Sequence, residues 1–390
     1  MDRARRRRGG GVFRRSSDRR GRLRGHRRTL LLLLAGALLL LTTLLLHRFE
    51  IGRRQPPPSL GELTVVAVDV GQGDGFLILT PERKAVLIDA GPPEAADRVR
   101  EALARYGVTQ LDLVVATHPH ADHIGGMVAV LDAVPVRLFL DSGQPHPTRT
   151  YTRMLEKIRE KGIRFVVAEA GQEFELGTGV TLSILAPFPM RLQGTRSDEN
   201  ANSIVVRLSY RAFSMLFTGD SERETEERLI EHEDTTAPLT ARVLKVAHHG
   251  SRHSTTHAFL ERVRPEVALI SCGADNEYGH PAPETLARLR RWVRELHRTD
   301  LEGEIVIRSD GRRYEIHTER TATAEDLWRG RRPRARVEAP AREDHGPAAR
   351  QGVVTAVPGG PHAILKTARD PRPASASRPR ASLAPRRNGL

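Results

Sequence analysis

Between Leu111 and Gly126 the chain reads LDLVVATHPHADHIGG, and no other stretch restricts the fold as much. The apolar run from Leu111 to Val115 has the length and β-branched content of a buried strand. His118, His120, Asp122 and His123 follow it at once. Histidines at i and i+2 on extended backbone project to one side. The Asp and His just beyond lie close enough to serve a second ion. Sixteen histidines in 390 residues could cluster on a solvated loop, but H-x-H-x-D-H is a pattern that chance seldom writes. Neutral imidazole with carboxylate is a donor set for zinc, manganese or iron and not for calcium. Gly125-Gly126 predicts a tight backbone turn behind the ligands.

From Gly61 to Arg320, strand-like runs alternate with helical patterns. The strand-like runs include LTVVAVDV, KAVLIDA, LDLVVATH, NSIVVRLSY, FSMLFTGD, RVLKVAHH and EVALISCG. Helical periodicity runs through PEAADRVREALARYG, DHIGGMVAVLDAV, TYTRMLEKIREKG, SERETEERLIEH, TTHAFLERVRP and PETLARLRRWVRELH. GEIVIRSDGRRYEIHT predicts a hairpin turning at Asp310-Gly311. A segment of this length buries one sizeable core, and the alternation suits two sheets between helices.

Further polar residues sit where apolar strands end. Asp220 closes MLFTGDSE, where it could equally cap the following helix. His248 and His249 close VLKVAHHGS, and a core or surface pair is the plain alternative. His280 lies in NEYGHPAPE, either in a cleft or as an ordinary loop residue. Upstream, Asp89 ends VLIDAGP, and VDVGQGDG contributes Gln72 and Asp74 on what reads as a tight hairpin. That glycine-rich turn is not a phosphate loop, because no G-K-[ST] follows it.

The ends of the chain differ from its middle. Residues 1–28 carry 13 arginines against two aspartates, 29–54 add a net +2 and 321–390 a net +8, so that 55–320 is left at −7 out of an overall +14. Net charge therefore gives no reason to assign a nucleic-acid-binding face to the segment that holds the motifs. Residues 29–46 are uncharged and just long enough to span a bilayer as a helix. With the arginines before it, this run predicts a signal anchor: residues 1–28 in the cytoplasm and the rest outside. A cleaved signal peptide is the rival, but HRFEIGRR lacks small residues at a cleavage site. Residues 47–60 are a proline-rich linker. Residues 321–390, rich in Ala, Arg and Pro, are expected to be a disordered basic tail. The single Cys272 excludes an intramolecular disulfide.

Together, VDVGQGDG, VLIDAGP, THPHADHIGG, DENANSIVVRL, LFTGDSE, VLKVAHHGSRHST and SCGADNEYGHPAPETLARL resemble the metallo-β-lactamase superfamily. More specifically, they look like the C-terminal hydrolase domain of ComEC-type DNA-internalisation proteins, in the family's order from about residue 62 to 290. The resemblance implies an α/β fold, a four-layer αββα sandwich, over residues 61–320, preceded here by one transmembrane helix. It implies two divalent transition-metal ions, zinc or manganese. His118 and His120 correspond to ligands of the first, Asp122 and His123 to ligands of the second, and Asp220 to a bridge between them. His248 corresponds to the distant ligand of the second site, with His249 the alternative. Asp89 would lie behind the ligands or on the substrate side, and Asp74, Gln72 and His280 would face the cleft. Asp122 or Asp220 would orient the nucleophile, and His280 would protonate the leaving group.

Two departures qualify this. The superfamily's third histidine for the first ion has only His146, in SGQPHPT, as a counterpart, so that site is expected to be incomplete. ComEC-type proteins also carry a many-helix channel, whereas this sequence has one hydrophobic segment. The expected function is a membrane-anchored metal-dependent hydrolase acting outside the cytoplasm, a phosphodiesterase or nuclease with DNA as a candidate substrate and the basic tail as a contact for polyanions. The alternatives are a non-catalytic DNA- or wall-polymer-binding partner of a membrane complex and, less favoured, a β-lactam hydrolase.

Overall fold

The computed structural model describes residues 33, 35–39, 42, 61–233 and 237–330. The expected cytoplasmic arm, the linker, most of the apolar segment 29–46 and the tail beyond 330 lie outside the described residues. Among the described residues no helix is long and apolar enough to cross a membrane.

Two sheets form the centre. The first has eight strands in the order β15-β14-β1-β2-β3-β4-β5-β6. Here β1 is Leu63–Ala67, β2 Phe76–Leu79, β3 Ala85–Ile88, β4 Leu113–Ala116, β5 Leu138–Asp141, β6 Arg164–Val167, β14 Ile305–Ser309 and β15 Tyr314–Thr318. The second has seven, in the order β13-β12-β11-β10-β9-β8-β7. In it β7 is Glu173–Glu175, β8 Val180–Ala186, β9 Val205–Tyr210, β10 Phe213–Phe217, β11 Val243–Lys245, β12 Val267–Ile270 and β13 Glu295–Arg298. Each sheet is antiparallel at one end and parallel at the other: β3 to β6 run parallel in the first, β10 to β13 in the second.

The apolar pattern explains the layering. Along β1, Leu63, Val65 and Ala67 enter the core between the sheets, while Val66 faces the outer layer, as the two-residue period of a strand requires. β4 and β12 are buried throughout, which is why they read as unbroken apolar runs. Helices Ala96–Arg105, Met127–Ala133 and Arg149–Glu160 cover the first sheet through Val99, Leu103, Val130, Leu131 and Met154. Helices Arg223–Glu231, His257–Val263 and Pro283–Leu289 cover the second through Leu229, Phe259, Leu260 and Leu286. The two outer cores and the one between the sheets give the expected helix–sheet–sheet–helix order.

Two expectations differ in detail, and a third is met. PETLARLRRWVRELH is not one helix. It stops at Leu289, and Glu295–Arg298 pairs in parallel with β12. The Asp310-Gly311 hairpin forms as expected, with the Asp310 carboxylate accepting from the backbone N–H groups of Arg312 and Arg313 at 2.7 Å each. Residues 321–330, which the sequence assigns to the tail, include helix Ala324–Leu327, capped by Thr323. The buried Arg298 side chain donates to the carbonyls of Leu327 and Arg329 behind it.

Candidate metal centre

The ends of β3, β4, β10, β11 and β12 meet where the two sheets adjoin. Carboxyl ends of strands are where an α/β sheet opens for a ligand. β4 ends in Thr117 and His118, and β10 in Thr218, Gly219 and Asp220. Gly219 takes a left-handed φ of 51°, so a Cβ there would lie 3.0 Å from the Ser203 Cβ and 3.2 Å from the Thr117 Cβ. Glycine thus lets the two strand ends approach.

His118 Nε2 and His120 Nδ1 stand 3.1 Å apart, and His118 Nε2 is 3.9 Å from Asp220 Oδ2. On the other side of Asp220, His123 Nε2 is 3.3 Å from Asp220 Oδ1 and 3.3 Å from His249 Nε2. His249 Nε2 lies 3.3 Å from Asp122 Oδ2 and 3.4 Å from Asp220 Oδ2. Asp220 therefore stands between two groups of potential donor atoms.

The outer edges of the rings decide which nitrogens are free. Asp89, fully buried, accepts from His123 Nδ1 at 2.8 Å, from the Thr117 backbone N–H at 2.8 Å and from the Thr117 hydroxyl at 2.6 Å. His249 Nδ1 donates to the Ser271 carbonyl at 2.9 Å. The Thr117 oxygen, 3.2 Å from His118 Nδ1, is placed to accept from it. These partners assign the tautomers, as they do for metal-bound histidines generally. They leave the Nε2 lone pairs of His118, His123 and His249 pointing inward at one another and at carboxylate oxygens.

Such a set of facing acceptors repels itself unless a cation lies between. Asp220 Oδ1 is buried without a hydrogen-bond partner, which is costly for a carboxylate in water's absence. The residues present thus fit one or two divalent transition ions. Asp74, His123, Asp220 and His249 also offer ligand atoms within 4.8 Å of one another. Asp74, however, faces the Nδ1 edges, at 3.5 Å from His249 and 3.9 Å from His123, and is ion-paired with Lys245. With Nδ1–H engaged elsewhere, an ion belongs on the Nε2 side, and Asp74 stays behind the ligands.

The electrostatics divide the cluster into rings that are already neutral, His118 and His120, and rings from which a bound ion would displace a proton, His123 and His249. Burial, reinforced by charge on His123, pushes His118 well below the ordinary imidazole range, and burial lowers His120 too. Both are neutral and ready to ligate. Burial works against the charged forms of His123 and Asp220 as well. In His123 the carboxylates of Asp220, Asp122 and Asp89 prevail and raise its pKa well above the usual range. In Asp220 the attraction of His249, His123 and His248 prevails and holds its carboxyl well below its usual range.

Several assignments change. Of the two adjacent histidines, it is His249, 1 % exposed, that lies inside the cluster, while His248 lies at its rim. The reason is the turn after β11, where His248 and His249 both take left-handed φ, 49° and 54°. This sends the His249 ring inward and leaves the His248 side chain at the rim, 3.6 Å from Asp220 Oδ2 and 3.3 Å from Glu222 Oε1. His280 does lie beside the ligands, its ring 5.6 Å from that of His248 and 6.3 Å from that of His249. Burial and the two neighbouring histidines push it down to about 3. At neutral pH its ring is an uncharged hydrogen-bonding group and not a proton-loaded acid. Gln72 does not face the cleft through its carbonyl, which accepts from the Gly273 N–H at 3.1 Å. Asp74 is 2 % exposed, beneath the site. Gly125 and Gly126 have helical φ, −59° and −79°, so no turn needs them. They allow close approach, because a Cβ on Gly126 would lie 2.3 Å from the Ala90 carbonyl oxygen. His146 reaches the first ligand group: its ring is 5.7 Å from that of His120, its Nδ1 is buried without a hydrogen-bond partner, and Glu199 Oε1 is 3.7 Å away.

Thr117, Ser271 and Lys245 were not foreseen. Only Lys245 carried a signal, a lone lysine inside the apolar run VLKVA.

The model of the metallo-beta-lactamase superfamily matches residues 68–274, and the chain belongs to that superfamily. Its curated relatives include ComE operon protein 3 of Bacillus subtilis (strain 168), 31% identical over 274 residues, which are 65% of this chain and 34% of that protein. Competence protein ComA of Neisseria gonorrhoeae is 32% identical over 243 residues, 62% of this chain and 32% of that one. The likeness to ComEC-type competence proteins is thereby shown, although the chain spans only about a third of the length of these relatives. Among solved structures, CmlA, a diiron beta-hydroxylase from Streptomyces venezuelae, is similar with a TM-score of 0.44 and 13% identity over 65% of this chain and 55% of that one.

Proposed function

We propose that this metallo-β-lactamase-fold protein is a metal-dependent phosphodiester hydrolase with DNA among its substrates. We further propose that segment 29–46 anchors it in a membrane with the catalytic domain outside the cytoplasm. The observation that carries the chemistry is the pair of inward-facing ligand groups joined at Asp220. His118, His120 and Asp220 would hold one ion, and Asp122, His123, His249 and Asp220 the other. Bound there, divalent ions would polarise a phosphoryl oxygen and bring the pKa of a water toward about 7.

The chain's own residues do the rest. Asp89, Thr117 and Ser271 fix the ligand rings, so little reorganisation accompanies the reaction. Asp122, one-third exposed on its side chain, is the ligand carboxylate that reaches the opening. It is placed to orient an attacking water. His280 offers a neutral ring at the opening for a phosphate oxygen or leaving group. Arg196, bonded to Glu222 at 3.2 Å, brings a cation beside His248 and favours an anionic substrate. The resemblance to DNA-internalisation proteins, together with the name of one relative, competence protein ComA, supports DNA as the class to test first.

Protein stripped with chelator and reloaded with manganese or zinc should cleave single-stranded DNA and a small diester, and Asp220→Ala should abolish both. A loaded protein that cleaves no diester but hydrolyses another ester or an amide would overturn the reading. A reporter active only outside the cytoplasm, fused after Leu390, should give signal if the anchor and its orientation are correct.

A further inference from the structure

Most large apolar side chains here are buried, and Tyr278 is an exception at 60 % exposure. Its position is specific. The ring stacks on His280 with centroids 5.8 Å apart and planes at 26°, and His280 in turn lies beside His248 and His249. One face of Tyr278 is thus backed by an imidazole that adjoins the metal ligands.

The loop beneath is held rigidly. The Asn276 amide donates to the carbonyls of Gly273 at 2.8 Å and His280 at 2.7 Å, while its oxygen accepts from the His280 N–H at 2.9 Å. Gln72 fastens Gly273 to the loop after β1. An aromatic ring kept in water on a braced loop loses little conformational freedom when something lands on it.

We propose that Tyr278, backed by His280, is a stacking seat for a nucleobase next to the metal centre, so that the diester taken here is one carried by a nucleotide chain. This rests on the phosphodiester reading above and narrows it. Every base has a π face, so such a seat is tolerant of sequence. A wall polymer of phosphodiesters without bases would gain nothing from it.

The test compares oligothymidylate with an abasic strand of the same length, using the metal-loaded full chain. The wild type should show a KM for the base-bearing strand lower by about 5- to 160-fold, the range expected of one stacked base. In Tyr278→Leu that ratio should fall toward one, and Tyr278→Phe should restore it. Calorimetry with thymidine monophosphate against deoxyribose 5-phosphate should show the same dependence. Turnover without any base preference, or a preference that survives Tyr278→Leu, overturns the seat and leaves the diester reading standing. Tyr278-dependent binding of the nucleotide by a protein that cleaves no strand upholds the seat and sinks the hydrolase reading.

Discussion

Lys245 is a buried cation at the end of β11, and replacing it should expose what it does. Its ammonium donates to the Gly219 carbonyl at 2.7 Å and is ion-paired with Asp74, both side chains being at most 2 % exposed. Lys245→Met keeps the volume of the stem but leaves the Asp74 carboxylate buried opposite nothing that matches it. Breaking a buried pair from one side costs about 3–5 kcal/mol, whereas removing both charges is often neutral or stabilising. Lys245→Met should therefore lose about 3–5 kcal/mol, and Asp74→Leu combined with Lys245→Met should recover most of it, a coupling of at least about 2 kcal/mol. Urea unfolding of chelator-treated protein measures this without any contribution from bound ions. Losses that simply add in the double variant, or a single variant within about 1 kcal/mol of wild type, would refute the reasoning.

Burial raises the Asp141 carboxyl to about 6, above its ordinary 3.8. A raised acid stabilises the fold below the unfolded pKa, and that contribution is lost as pH climbs through 6. Asp141→Asn should therefore flatten the stability profile between these values and add up to roughly 3 kcal/mol at pH 8, and a profile as steep as wild type would count against it. Gly126→Ala sets helix propensity, worth about 1 kcal/mol in its favour, against a Cβ 2.3 Å from backbone oxygen. Overpacking costs about 1–3 kcal/mol, so a net loss of up to about 2 kcal/mol is expected, and a raised melting temperature would show otherwise. His146→Ala should weaken one metal site and spare the other, and equilibrium dialysis that finds both affinities unchanged would remove His146 from the first site.

The donor-bearing strand ends were legible because burial on both faces makes β4, β10 and β11 mostly apolar, with Ser214 and Lys245 the exceptions, so the His and Asp residues just beyond them stand out. Their convergence followed from the family resemblance and not from spacing. What escaped depended on backbone that sequence does not display. The choice between His248 and His249 turns on two consecutive left-handed residues. The strand Glu295–Arg298 hid behind Trp292, Val293 and Leu296, whose i, i+1, i+4 spacing continues the helical pattern, while only pairing with β12 makes it extended. The Gly125-Gly126 pair was seen but misread, since close approach to Pro93 and Ala90 is a tertiary fact.

Asp220 and His249 come from the second sheet, whereas His118, His120, Asp122 and His123 come from the first. Any ion bound among them is a rivet between two separately built half-structures. Its affinity is then partly an affinity for the docked arrangement, so metal supply and assembly are linked by mass action. At a free concentration a hundredfold above its dissociation constant, an ion would add about 2.7 kcal/mol to the cohesion of the two halves. A cell short of the metal would lose more than turnover. It would hold a looser population of this protein, more often open at the seam and more readily cut there by proteases.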